Sequence, residues 1–179
     1  MREIVRRAWI EELLRAVELE LPNFKPQPIK RSGDAGMLRF GWHARPKLWC
    51  ILAFRPLADE SFDAFAGWSR KPWIPLARFF ESSPEHINDF EAGCFVTWTL
   101  NYVPRTGLSY WKFWEPPESA LDDPELFFEI TEQHFRKDLT IQEARALVSP
   151  AVGRALDEVR KFCVPYLEKR VQYEDERQN

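Results

Sequence analysis

Glycine is scarce in this sequence, seven residues in 179, and histidine and cysteine are scarcer still at three each. The glycines are scattered, and neither GxGxxG nor GxxxxGK[ST] occurs. The backbone cradles that hold nucleotide phosphates are therefore excluded. No HExxH, HxH or CxxC is present, and the histidines stand 43 and 48 residues apart, so no local metal-ligand group exists and neither a metal nor a cofactor is expected. The chain also lacks GxSxG, the strand-to-helix turn that exposes a serine nucleophile. Cys50, Cys94 and Cys163 are odd in number, far apart and set among apolar residues, which suits buried free thiols rather than a disulfide framework.

Charge of one sign is lacking too. A net charge of −3 and a pI near 5.7 give too weak a field for a dedicated nucleic-acid binder, and argue against that partner. No run approaches the roughly 18 apolar residues of a membrane span. Met1 to Arg7 carries charges every few residues with no apolar stretch of signal-peptide type, so no membrane partner and a cytoplasmic location are expected.

Aromatic rings are abundant: eight Trp, fourteen Phe and four Tyr. Each can bury roughly 150–250 Å², so a dozen inside would supply much of the driving force for folding. With 45% apolar and 30% charged residues in 179, one compact domain is expected.

Hydrophobic spacing divides the chain. Ile10, Leu13, Leu14, Val17 and Leu21 recur at helical intervals and predict an amphipathic helix ending before Pro22. Pro22, Pro26 and Pro28 predict an extended linker. Leu38, Phe40 and Trp42 then alternate with Arg39, Gly41 and His43, as in a half-buried strand. Leu48 to Phe54 is apolar on both faces, as in a central strand, and Ser61 to Trp68 alternates again. Short connections make these an antiparallel meander. A short helix near 74–81, a fourth strand from Cys94 to Tyr102 and a fifth near Tyr110 to Trp114 are expected next.

The last third reads as helical. Asp123-Pro124 offers a cap and first-turn proline, Thr140 with Glu143 forms a capping box for a helix to Val148, and Ser149-Pro150 is expected to start another. Pro165 is expected to kink or end that helix near Val164. The fold class is α+β: an antiparallel sheet of four to five strands, with an N-terminal helix and C-terminal helices packed on one face. Residues 1–170 are expected to form a single domain, and 171–179 a frayed tail.

Two sets of residues are candidates for function. The segment GWSRKPW sets Trp68 and Trp73 around Arg70 and Lys71, an arrangement suited to stacking against a partner. Trp111 and Trp114 lie in a neighbouring region bordered by prolines and join this binding set. The alternative is a pocket in which His43 and Asp63 share one sheet face beside Trp rings. The acids Glu115, Glu118, Asp122, Asp123 and Glu125, within a stretch from 115 to 132 that has seven acids and no base, read as a solvated loop and helix start, and as a surface for a basic partner.

A helix, a Pro-rich link near Phe24-Lys25, strands ending in Phe40-Gly41-Trp42 and Phe62 to Ser69, and a closing Val164-Pro165-Tyr166-Leu167-Glu168 resemble the layout of uncharacterised bacterial α+β domain families, some of them immunity-protein-like. That resemblance implies no catalytic residues. It implies a non-catalytic domain whose partner is another protein; the alternative, which rests on His43 and Asp63 rather than on the resemblance, is a ligand-binding protein or enzyme.

Overall fold

The computed structural model describes residues 1–28, 36–69, 72, 98–99 and 111–178. Helix α1 (Glu3–Glu20) buries Val5, Ala8, Trp9, Leu13, Ala16 and Val17, one stripe at intervals of three and four. It stops where Pro22 approaches: the Leu21 amide still donates to Val17 O at 2.9 Å, and the helix goes no further.

The proline-rich link is more ordered than its composition implies. Lys25–Gln27 forms strand β1 and pairs antiparallel with β2 (Leu38–Arg45). As an edge strand holding Pro26 and followed by Pro28, it presents few amides to the outside, which protects the sheet from unwanted pairing. Next come β3 (Leu48–Pro56) and β4 (Ser61–Ser69), joined to β2 as the expected meander. Along the far edge of β4 run β5 (Trp98–Thr99), opposite Phe65 and Ala66, and β6 (Trp111–Lys112), opposite Ser61 and Phe62. The remainder of the predicted fourth strand, and the predicted helix near 74–81, lie outside the described residues.

The strand period of two sorts the core into two layers. On one face Phe40, Leu52, Phe54, Phe62, Ala64 and Trp68 join the buried stripes of the helices in the main cluster. Phe62 is its hub: Trp9, Trp111, Phe113 and Phe54 have ring centroids 5.4–6.4 Å from it. On the opposite face Met37, Ile51, Ala53 and Phe65 form a second buried cluster with Trp49 against it. The central strands are thus covered on both sides, as the unbroken apolar run of β3 requires. Cys50 and Cys163 are buried and free. Burial drives the Cys50 thiol up to about 12, with Arg170 acting weakly the other way, so it is no nucleophile.

After a 3-10 turn at Glu118–Ala120 come α2 (Pro124–Arg136), α3 (Ile141–Glu158) and α4 (Val164–Gln178). Asp123 caps α2 through bonds from the Glu125 and Leu126 amides, and Thr140 with Glu143 closes the capping box of α3. Two expectations are corrected. Pro150 does not start a new helix; α3 runs through it. The stripe Ala144, Val148, Ala151, Val152, Ala155 and Leu156 is buried as one surface packed on α1, and its burial outweighs one lost backbone bond. Nor does the chain fray from 171, because α4 continues to Gln178 with Val171 and Glu174 buried and Asp175 bonded to Arg45. Pro165 acts at the expected place: a π-helical turn, Val159–Cys163, precedes α4, and proline near a helix start gives up no internal bond.

Candidate binding surface

The connection from β3 to β4 must reverse within a few residues, and Glu60 does so at φ 57°, a left-handed backbone that costs a non-glycine residue about 1–2 kcal/mol. The turn directs a carboxylate, 1% exposed, into the protein. Arg2, ahead of α1, meets it with two parallel bonds, Nε to Oε1 at 2.6 Å and Nη2 to Oε2 at 2.8 Å. The same guanidinium donates through Nη1 to the carbonyls of His134 and Lys137 at the end of α2, where unpaired helical carbonyls favour a cation. His134 Nε2 completes the cluster, 3.1 Å from Glu60 Oε2. Burial pushes the Glu60 carboxyl up, but the hydrogen bonds from Arg2 and His134 outweigh it and hold it below the usual glutamate range.

This clasp fixes one end of α2 and, with it, a set of rings. Trp114 lies flat on the His134 imidazole at 4.2 Å and 9°, and Phe135 meets both edge-on. A carboxylate, an imidazole and a guanidinium in one place suggest acid–base chemistry, yet both Glu60 oxygens are engaged and His134 Nε2 points into the cluster. The cluster fastens the start of α1, the β3–β4 turn and the end of α2 together.

On the outer side of Trp114 is a groove of about 350 Å³, lined by Trp114, Pro116, Leu121, Phe127, Thr131 and Phe135, with Asp59, Lys112 and Glu115 at its margins. Beside it the surface is unusually apolar for a helix carrying so many rings, because α2 has no buried residue at all. Phe128 is 70% exposed and Leu121 61%, and Phe135 is also open. Within α2, Phe128 and Phe135 are seven residues apart and so share one face, and that face is turned outward. Glu115, Glu118, Asp122 and Glu125 surround it and take part in no ion pair among the described residues.

The candidates from the sequence are separated by this geometry. Trp68 is wholly buried on the core face with the Arg170 guanidinium 4.3 Å over its ring, and so cannot serve a partner. Trp111 is 5% exposed and stacks on Phe62; it belongs to the core. Arg70, Lys71 and Trp73 lie outside the described residues. Of the described rings in that set, only Trp114 reaches the surface.

His43 and Asp63 do share the second sheet face, but not a pocket. In the register His43 stands opposite Trp49 and Asp63 opposite Arg55, which places them six residues apart along the strands, roughly 20 Å. Asp63 is bonded to Arg55 through Nε and Nη2, and His43 stacks on Trp49 at 4.5 Å.

Arg2, Glu60, Leu121, Phe128 and Phe135 are not recognisable in the sequence as parts of one site. The Phe127-Phe128 pair carried a signal, since two adjacent rings on a helix cannot both face the same core. Among the described residues, no helix is long and apolar enough to cross a membrane, and no three His, Cys, Asp or Glu side chains gather as a metal site. No protein-family model, no curated protein and no solved structure matches this chain.

Proposed function

We propose that this chain is a non-catalytic binding protein that docks a segment of another protein along α2 and the Trp114 groove. The observation that carries this is a thirteen-residue helix without a buried residue, displaying Phe128 and Phe135 next to a ring-lined groove. Contiguous apolar surface on a folded domain marks an interaction site. A partner that covered Phe128, Phe135 and Leu121 would gain roughly 1.5–3 kcal/mol from each fully buried side chain.

Charge selects the chemistry of that partner. Among the described residues the carboxylates of Glu115, Glu118, Asp122 and Glu125 have no ion-pair partners, so the segment that fits carries apolar anchors flanked by lysine or arginine. A role of the immunity-protein kind, in which a small acidic domain covers part of a basic protein, is one form of this activity, and it agrees with the lack of catalytic motifs.

Selection from a displayed library of random peptides tests the proposal, since the library samples partner chemistries of every charge. Enriched sequences should combine aromatic or aliphatic anchors with basic flanks, and should lose at least tenfold in affinity for Phe128→Asp. Enrichment of acidic peptides, or of peptides that bind Phe128→Asp as well as the unaltered protein, would overturn it. Self-association through α2 would appear as a concentration-dependent mass, abolished by the same substitution, and would replace a foreign partner with a second copy.

A further inference from the structure

A second cavity lies at the opposite edge of the sheet, on the face away from the helices. Its volume is about 310 Å³, and its described lining is Lys25, Pro26, Gln27, Pro28, Gly41, Trp49 and Pro72. That size is at the lower end of small-molecule sites. The register explains how it arises. Lys25 pairs with Gly41 and Gln27 with Arg39, and paired residues point to the same face. On that face, therefore, Gly41 leaves a notch between the His43–Trp49 row and the Gln27–Arg39 row.

The missing side chain is essential to the notch. A Cβ on Gly41 would lie 2.1 Å from Gln27 Nε2 and 2.7 Å from its Cδ, so the Gln27 carboxamide lies flat across the strand in the space that glycine leaves. Among the described residues the carboxamide is without a partner: its oxygen is sealed from solvent with no donor, which leaves Nε2 as the end offered to a ligand. Lys25 is exposed and in no ion pair among the described residues. The rest of the lining is rings, namely three prolines and an indole whose plane is fixed by stacking on His43 at 13°.

We infer that this cavity binds a small aromatic carboxylate, its ring among the prolines beside Trp49 and its carboxylate between Lys25 Nζ and Gln27 Nε2. Proline and indole rings favour a flat, ring-bearing ligand. Two unused donors, one of them cationic, favour an anion with two oxygens. The site is independent of α2 and of the proposed partner.

Titration of the whole chain with benzoate, followed by calorimetry and by NMR of the amide resonances, tests the inference. Saturable one-to-one binding is expected, with a dissociation constant of about 1 mM or tighter, shifting resonances of residues 25–28 and 41. Benzyl alcohol, which lacks the charge, and cyclohexanecarboxylate, which lacks the flat ring, should each bind at least tenfold more weakly. Lys25→Gln, at an exposed position, should weaken benzoate at least threefold, and Gly41→Ala should abolish binding by driving the Gln27 carboxamide out of the space that glycine leaves. Phe128→Asp should leave benzoate binding unchanged. No saturation by about 10 mM, equal affinity for all three probes, or binding that survives both Lys25→Gln and Gly41→Ala would overturn the assignment.

Discussion

Glu60 is the residue on which the local energetics turn. A buried carboxylate in a left-handed turn is tolerated because Arg2, ahead of α1, and His134, in α2, both reach it. With the folded carboxyl held below its ordinary value of 4.5, its contribution to stability is present above that range and is lost as pH falls through the folded value. Glu60→Gln should therefore cost about 2 kcal/mol near neutral pH, from the broken buried pair. The difference from the unaltered protein should narrow below roughly pH 4.5. Urea denaturation of both proteins between pH 3 and 7 measures it. A difference that does not change with pH would show that the Glu60 charge is not what holds the clasp. The clasp is not readable in the sequence, since Arg2, Glu60 and His134 are brought together from three parts of the chain and no local pattern links them. Trp114, by contrast, is picked out as a surface ring by its proline-bordered surroundings, while the same reasoning misplaces Trp111: the strand expected near Tyr110 to Trp114 forms over Trp111–Lys112 and stacks Trp111 on Phe62 in the core.

At the scale of the element, local chemistry is legible wherever a few adjacent residues decide the outcome. The Asp123 cap and the Thr140–Glu143 box form as their spacing requires, and Glu143 is drawn down to about 2 by bonds from the Thr140 backbone and side chain. Packing overrides local signals at Pro150, on the exposed side of α3. Pro150→Ala restores an amide to that helix and should stabilise the protein by about 1–3 kcal/mol, read from thermal unfolding. Equal or lower stability would mean that the proline fits a distortion the helix needs. The end of α4 is misleading in the sequence because Lys169, Arg170 and Glu174 look like solvent-facing residues, whereas Arg170 and Glu174 pair at 2.6 Å in the interior next to Trp68. Removal of residues 171–179 takes away buried Val171 and Glu174, an ion-pair partner of the buried Arg170. It should lower stability by more than about 2 kcal/mol in chemical denaturation. Unchanged stability would restore the view of a dispensable tail.

Across the whole molecule, the alternation of strands and the helical stripes are sufficient for the α+β class, the antiparallel meander and the two-sided burial of β3. The position of β1 is not legible, because a three-residue strand containing proline satisfies the same local rules as a linker. The candidate surface is legible only as separate signs, an acidic stretch and a surplus of rings. Their juxtaposition depends on the clasp that sets α2 against the β3–β4 turn. Among the described residues four large apolar side chains are exposed: Leu19, alone on α1, and Leu121, Phe128 and Phe135, and the last three make the proposed docking surface. Phe128 touches little, so Phe128→Asp should change folding stability by less than about 0.5 kcal/mol. Calorimetric titration of a selected basic, apolar peptide into the unaltered protein and into Phe128→Asp, at low and at physiological salt, reads the docking surface without interference from folding. At least a tenfold loss of affinity is expected in the variant, with weaker binding to the unaltered protein as salt rises. Equal affinity for the two proteins, or binding indifferent to salt, would contradict docking on α2.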